Sequence, residues 1–381
     1  MAPYNVRWGI MATGKIANVF VKDLLISPAQ RNAADVAHTV TAVSSSSSAD
    51  RAQSFIADTG IPAPCTAHGS YEALVADPNV DVVYVATPHS HHFHNVMLAL
   101  HARKHVLCEK AFTVNAAQAR ILIETARASG LFLMEAVWTR YLPISVRIRD
   151  LIKAGEVGEV MRVTADNSFG DPVEEAWGTE HRMVNKDLAG GVLGIYSLTW
   201  VFQALYHTLP ADQRKPPSAV SGHMALYHLT GADEATTMLL SFPSTTPANA
   251  PHPGQSHGVA MTHLRVSTDP DMKDTARPSI RIQGTKGEIQ VNGFAFKPAS
   301  YRVIYAKDVA KDPVEVEFPI PAGGHGMFFE ADEVARCLRD GKLESDSMPW
   351  EESVVIMDVM DQVRKQGGLT YPESIESTVY P

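Results

Sequence analysis

Apolar and polar positions change period repeatedly over the first 135 residues or so. Val6 to Met11 is a short apolar run, the pattern of a buried strand, and Gly14 to Leu25 follows with helical spacing. His38 to Val43 reads as a strand, Ala49 to Asp58 as a helix and Tyr71 to Ala76 as a short helix. Val80 to Ala86 holds four valines in seven residues, with the β-branched richness of a strand buried on both faces. His94 to His101 and Ala116 to Ala128 have helical spacing, while His105 to Cys108 and Leu131 to Glu135 read as strands. Strand and helix alternating at this interval predict βαβ units and a doubly wound parallel sheet.

Beyond this point the pattern changes. Pro143 to Lys153 is helical and ends at Gly155, and Val160 to Phe169 alternates. Alternation then dominates in Ala219–Leu229, Ala235–Phe242, His257–Val266, Ser279–Gln283, Glu288–Val291 and Tyr301–Ala306, which predicts a mainly antiparallel sheet. The apolar run from Val192 to Tyr206 predicts a helix over one face of it, and Pro243 to Ser256, rich in Pro, Thr, Ser, Ala and Asn, an exposed loop. Met327 to Asp340 and Trp350 to Lys365 predict two late helices. The expected fold is α/β: a Rossmann domain over residues 1–138, then an α+β domain with a large, mainly antiparallel open sheet over 139–381. The last helices would pack back toward the first domain. No internal repeat of 20–50 residues is present.

Composition narrows the function. The 381 residues are 45% hydrophobic and 20% charged, ordinary for a globular protein. A net charge of −9 argues against a nucleic-acid partner, because phosphate contacts need a basic face. No apolar run is long enough to span a bilayer, so no membrane partner is expected. Three dispersed cysteines, Cys65, Cys108 and Cys337, suit a reducing compartment and give neither a disulfide framework nor a zinc motif. A cytoplasmic protein is the expectation.

Chemistry clusters at predicted strand ends. After the first strand, Ala12-Thr13-Gly14-Lys15-Ile16-Ala17 fits a dinucleotide loop whose first and third glycines are alanines. Small residues there let a pyrophosphate approach the backbone at a helix N-terminus, although a plain tight turn has the same composition. Ala12, Thr13, Gly14, Lys15 and Ile16 are the candidate contacts. The second strand runs into Ser44, Ser45 and Ser46, with no acid until Asp50 and with Arg51 following. Hydroxyls and a cation suit a 2′-phosphate, which a carboxylate would repel, so NADP is preferred to NAD. The serines also suit capping of the next helix. Past Val85, six of the sixteen histidines fall between His89 and His105. Without Cys or carboxylate partners they predict no metal site, and Thr87, Pro88, His89 and His92 are read as the rim of a cofactor crevice. Glu109 and Lys110 end the next strand. There a lysine is well placed for function, and equally for pairing with Glu109 at a surface turn.

Together, Gly9-Ile10…Gly14-Lys15-Ile16-Ala17, Ala86-Thr87-Pro88…His92 and Lys104-His105-Val106-Leu107-Cys108-Glu109-Lys110 resemble the glucose-fructose oxidoreductase / inositol dehydrogenase (Gfo/Idh/MocA) family. Leu133-Met134-Glu135-Ala136-Val137-Trp138-Thr139-Arg140-Tyr141 and Gly326-Met327…Glu330-Ala331-Asp332-Glu333 are similar to its branch of dimeric dihydrodiol dehydrogenases and fungal D-xylose dehydrogenases. The resemblance implies an NADP-dependent oxidoreductase acting on a sugar or diol, first on C1 of an aldose such as D-xylose, and a homodimer formed through the open sheet. It implies Lys110 and Tyr196 as catalytic residues, Tyr196 as acid/base and Lys110 stabilising its phenolate. Trp138 and Arg140 join the cofactor set, with core packing an equal reading of Trp138. Two departures stand out. Ala111 replaces the proline that usually follows the lysine. The family's Gly-Gly-x-Leu-Leu-Asp-x-Gly-x-Tyr is shortened to Gly190-Gly191-Val192-Leu193-Gly194-Ile195-Tyr196, without the Asp. On a helix, three missing residues amount to about 300° and 4.5 Å. A cofactor-sensing protein without catalysis is the third reading, favoured by that shortening.

Overall fold

A computed structural model describes residues 2–191, 194–243 and 254–380. Two compact units divide the chain: Met1–Tyr141 with Ile320–Met357 and Glu373–Pro381, and Leu142–Pro319 with Asp358–Pro372.

The first unit carries a six-stranded parallel sheet: β1 (Tyr4–Met11), β2 (Val36–Ser44), β3 (Thr66–His68), β4 (Val82–Val85), β5 (His105–Glu109) and β6 (Leu133–Ala136). Between them run α1 (Lys15–Leu24), α2 (Ala49–Thr59), α3 (Tyr71–Val75), α4 (His92–His101) and α5 (Ala116–Ser129). The order β3-β2-β1-β4-β5-β6 reverses direction between β1 and β4, the switch point where such sheets bind ligands beyond their strand ends. The central strands are continuous apolar runs because both faces are covered; all four residues of β4 are buried. Asn115 opens α5 by accepting the Gln118 N–H, and Gly130 closes it with φ +64°. The three-residue β3 has no apolar signature and escapes the sequence reading.

Residues 320–357 complete this unit. Helix α9 (Phe328–Arg339) is tied in by buried charge. Arg31 donates to both Asp332 oxygens at 2.8 and 2.7 Å, and His38 Nε2 meets Asp332 Oδ1 at 2.8 Å. The Trp8 indole N–H donates to His38 Nδ1, which leaves the proton on Nε2 facing Asp332. Burial pushes the Asp332 carboxyl up, and Arg31 and His38 more than offset it, so it stays below the usual range. Asp23 of α1 accepts the backbone N–H groups of His325, Gly326 and Met327 at 2.9, 2.7 and 2.7 Å.

In the second unit, α6 (Pro143–Lys153) leads to an eight-stranded sheet containing β7 (Val160–Asp166), β8 (Ala219–Leu226), β9 (Asp233–Phe242), β10 (Ser256–His263), β11 (Ile280–Gly284), β12 (Gly287–Phe294), β13 (Lys297–Tyr305) and β14 (Val314–Glu317). Its order is β14-β13-β12-β11-β7-β10-β9-β8, antiparallel throughout except for β7 against β10. A short helix, α7 (Val173–Ala176), precedes α8 (Ile195–Phe202), which lies on β7 and β10. A side chain at Gly258 would come within 2.3 Å of Val201 Cγ1, so glycine lets α8 approach the sheet. The expected helix from Val192 starts at Ile195 among the described residues, and Gln203–His207 continues it as a π turn. Val192, Leu193 and most of the expected loop at Pro243–Ser256 lie outside the described residues. On the opposite face, Arg162, Arg281 and Arg302 are exposed, as is Leu239. Two further helices, α10 (Trp350–Gly367) and α11 (Glu373–Glu376), close the chain, the second of them unmarked by periodicity.

Candidate active site

The first unit's candidate residues gather at the carboxyl ends of its strands. Ala12 follows β1 with φ +88°, a left-handed conformation that a glycine would adopt without strain, and donates its N–H to Ser44 O at 3.1 Å. Gly14 caps α1 with an ordinary φ of −81°, and nothing lies within 4 Å of where its Cβ would sit. Neither conformation nor packing therefore demands glycine there. By contrast, a Cβ on Gly9 would meet Val80 at 2.8 Å. The first turn of α1 has no acidic residue and no side-chain cap, leaving its N–H groups to an anion. Lys15, at the positive end of the helix dipole, is exposed, and Ile16 is half-buried. These residues fit a dinucleotide pyrophosphate.

At the end of β2 the serines divide. Ser44 and Ser45 are buried, Ser45 donating its N–H to His68 O, while Ser46 is exposed. Ser48 caps α2 by accepting the Arg51 N–H at 3.2 Å. The Arg51 guanidinium is exposed and donates from Nε to Thr13 Oγ1 at 3.3 Å, which brings a cation, a hydroxyl and the phosphate loop together.

His92 is fully buried and bridges two strand ends, with Nδ1 2.9 Å from Ala111 O and Nε2 3.0 Å from Thr87 O. Burial pushes its pKa down to about 4, against the pull of the two carbonyls. Thr87 also accepts from Asn95 at 3.1 Å; Pro88 and His89 start the turn into α4. Among the described residues, no three His, Cys, Asp or Glu side chains are grouped to hold a metal ion.

Glu109 is buried; Tyr84 donates its hydroxyl to Oε1 at 2.6 Å and the Lys110 backbone N–H reaches Oε2 at 3.3 Å. The half-buried Lys110 precedes Ala111 across a cis peptide. Cys108 is buried behind it, its thiol pushed up by burial and by Glu135 and Glu109, which suits a packed strand residue. Trp138 is 4% exposed. Arg140, expected beside the cofactor, is instead fully buried, with Nη1 2.6 Å from Glu352 Oε1. Sequence reasoning passed over Glu135, whose Oε1 accepts the Phe112 N–H at 3.0 Å. A charged residue inside the apolar run Leu131–Val137 was the available signal.

Tyr196 belongs to the second unit, in the first turn of α8, 9% exposed and with its ring 5.8 Å from that of Phe296. Phe296 stacks in turn on Phe294, an aromatic group that alternation did not single out. Gly190, Gly191 and Gly194 are not helical: Gly191 has φ +124° and bridges to Asp233, and Gly194 is a left-handed cap with φ +60°. The rotation expected from three missing helical residues therefore does not apply, since the helix begins only at Ile195.

Comparison with known proteins agrees with this architecture. Residues 6–137 match the GFO_IDH_MocA oxidoreductase family, NAD-binding Rossmann fold, and residues 145–290 match the GFO/IDH/MocA C-terminal domain. The chain is 54% identical to D-xylose 1-dehydrogenase (NADP(+)) of Hypocrea jecorina, over 99% of this chain and 96% of that one. It is 35% identical to trans-1,2-dihydrobenzene-1,2-diol dehydrogenase of Danio rerio, over 97% and 98%. Among solved structures, levoglucosan dehydrogenase in complex with NADH and levoglucosan matches with a TM-score of 0.76 at 17% identity, covering 96% and 97%. A Caulobacter crescentus aldose-aldose oxidoreductase matches at 0.73 and 20%, covering 96% and 98%. The two-unit architecture, the phosphate loop and these matches together place the chain in the Gfo/Idh/MocA oxidoreductase family.

Proposed function

We propose that the protein is an NADP-dependent dehydrogenase that oxidises D-xylose or a related aldose at C1 to the lactone. The observation that carries this reading is 54% identity over 99% of the chain to a D-xylose 1-dehydrogenase (NADP(+)). The sheet of residues 1–138 binds the cofactor, and the 139–381 part supplies substrate contacts and the subunit interface. Bound NADP supplies the hydride acceptor. The chain's own residues do the rest. Ala12 through Ile16 hold the pyrophosphate; Ser46 and Arg51 meet the 2′-phosphate. Ser44, Ser45, Thr87, Pro88, His92 and Glu109 shape the strand ends behind them, and His89 and Trp138 border the nicotinamide side.

In the reaction, the C1 hydroxyl gives its proton to Tyr196 as the C1 hydride leaves, and the electron pair of the broken O–H bond turns the existing C1–O1 single bond into the lactone carbonyl. The products are lactone, NADPH and one proton. A free tyrosine, with pKa near 10, is a weak base at pH 7, and the cationic Lys110 stabilises the phenolate. Mixing protein, NADP and D-xylose tests the proposal through growth of the reduced-nicotinamide absorbance. Cofactor binding without turnover of any aldose or dihydrodiol would favour the sensor reading, and turnover of dihydrodiols alone the second relative's activity. Tyr196→Phe is expected to lower kcat by about 10²–10⁴-fold, the range for losing a general base; unchanged turnover would remove Tyr196 from this role.

The sheet face opposite α8, where Leu239 is exposed, supports a homodimer, tested by sedimentation at micromolar concentration. Among the described residues, no helix is long and apolar enough to cross a membrane. Free Cys65, Cys108 and Cys337 support a reducing, cytoplasmic setting.

A further inference from the structure

Glu135 interrupts an otherwise apolar strand and is 2% exposed. Burying a carboxyl is costly unless both oxygens find partners. Here Oε1 accepts the Phe112 N–H at 3.0 Å, and Oε2 lies 2.8 Å from the hydroxyl of Ser353, a 2%-exposed residue of α10. Phe112 stands two residues after Lys110. The turn carrying the lysine is thus gripped at three successive residues: Glu109 takes the Lys110 N–H, His92 meets the Ala111 carbonyl, and Glu135 takes the Phe112 N–H. Packing at position 135 would be satisfied by leucine or methionine; what the carboxyl adds is an acceptor for one backbone N–H. The charges that act on it are Arg140, which favours the carboxylate, and Glu109, which opposes it. Either protonation state keeps both partners, because the Ser353 hydroxyl donates to a carboxylate and accepts from a carboxylic acid.

We infer that Glu135, oriented by Ser353, is a positioning residue that fixes the backbone turn carrying Lys110. The inference rests on the reading of Lys110 as a catalytic lysine. Glu135→Gln keeps the shape, its amide oxygen accepting from Phe112 and its N–H donating to Ser353. With NADP and D-xylose, E135Q is expected to keep kcat within about threefold, E135A to lose about 10²-fold, and S353A to fall between them. KM for NADP should stay within about threefold throughout, as displacing a reacting group by 1 Å acts on the chemical step. Amide exchange in residues 110–114 should accelerate in E135A and S353A and stay slow in E135Q. The inference is overturned if E135A turns over at the parental rate, if E135Q falls as far as E135A, or if KM rises while kcat holds. Should E135A fail to fold, E135Q and S353A carry the comparison. Should the parent protein oxidise no sugar, the catalytic reading fails by itself, and exchange at 110–114 still decides whether Glu135 holds the turn.

Discussion

Arg51→Ala is the sharpest perturbation of the proposed cofactor choice. The guanidinium stands at the end of β2, its Nε donating to Thr13 Oγ1 at 3.3 Å, so it is pre-ordered beside the phosphate loop. Hydrogen bonds to a charged group contribute about 1.5–3 kcal/mol. Arg51 is exposed, and solvent and salt reduce that, so about 1–2 kcal/mol is the reasonable share. That corresponds to roughly 5–30-fold weaker NADP binding. NAD lacks the 2′-phosphate, so its affinity should change by less than about twofold, well inside one 1.4 kcal/mol decade. Thr13→Val removes the tether without the charge and should weaken NADP by only a few-fold. The assay is titration of each reduced cofactor by its fluorescence, alongside kcat/KM for NADP and NAD at two ionic strengths. Raising salt should narrow the NADP preference in the parent and leave it flat in Arg51→Ala. Equal losses for both cofactors, or NADP affinity unchanged, would refute the reasoning and move 2′-phosphate recognition elsewhere.

Other outcomes follow from buried charge. Asp23→Ala leaves the N–H groups of Gly326 and Met327 without their buried acceptor and should destabilise the first unit by about 2–6 kcal/mol, read as a lower Tm and faster exchange at the start of α9. Arg140→Met removes the cation 2.6 Å from Glu352 in a site where both side chains have no exposure and should cost about 3–5 kcal/mol, whereas loss of the exposed Arg339–Asp340 pair should cost under about 1 kcal/mol; comparable Tm changes would contradict this. Burial holds the Glu135 carboxyl up at about 7, above its unfolded value of roughly 4.3, so the folded state binds the extra proton between them. Stability should therefore fall as pH rises through that window, and Glu135→Gln should lack that fall; parallel Tm–pH curves for the two proteins would be inconsistent with it.

The sequence by itself determined the kind of elements and where their chemistry lies. Period and β-branching marked β1, β2, β4, β5 and β6, because strands covered on both faces need continuous apolar runs. The places of Gly14, Arg51 and Lys110 just past strand ends were legible, because a linear pattern locates where a strand stops. Only the tertiary structure decided what stands behind those ends. Arg140 is buried against Glu352, 212 residues away, a contact no linear pattern shows; Glu135 read as a strand terminus and holds Phe112 together with Ser353, 218 residues away. The Asp332–Arg31–His38 group and the Asp23 anchor of α9 likewise join residues about 300 apart. Periodicity records which face of an element is buried. It does not record which distant group shares that burial, and a buried charge takes its role from that partner.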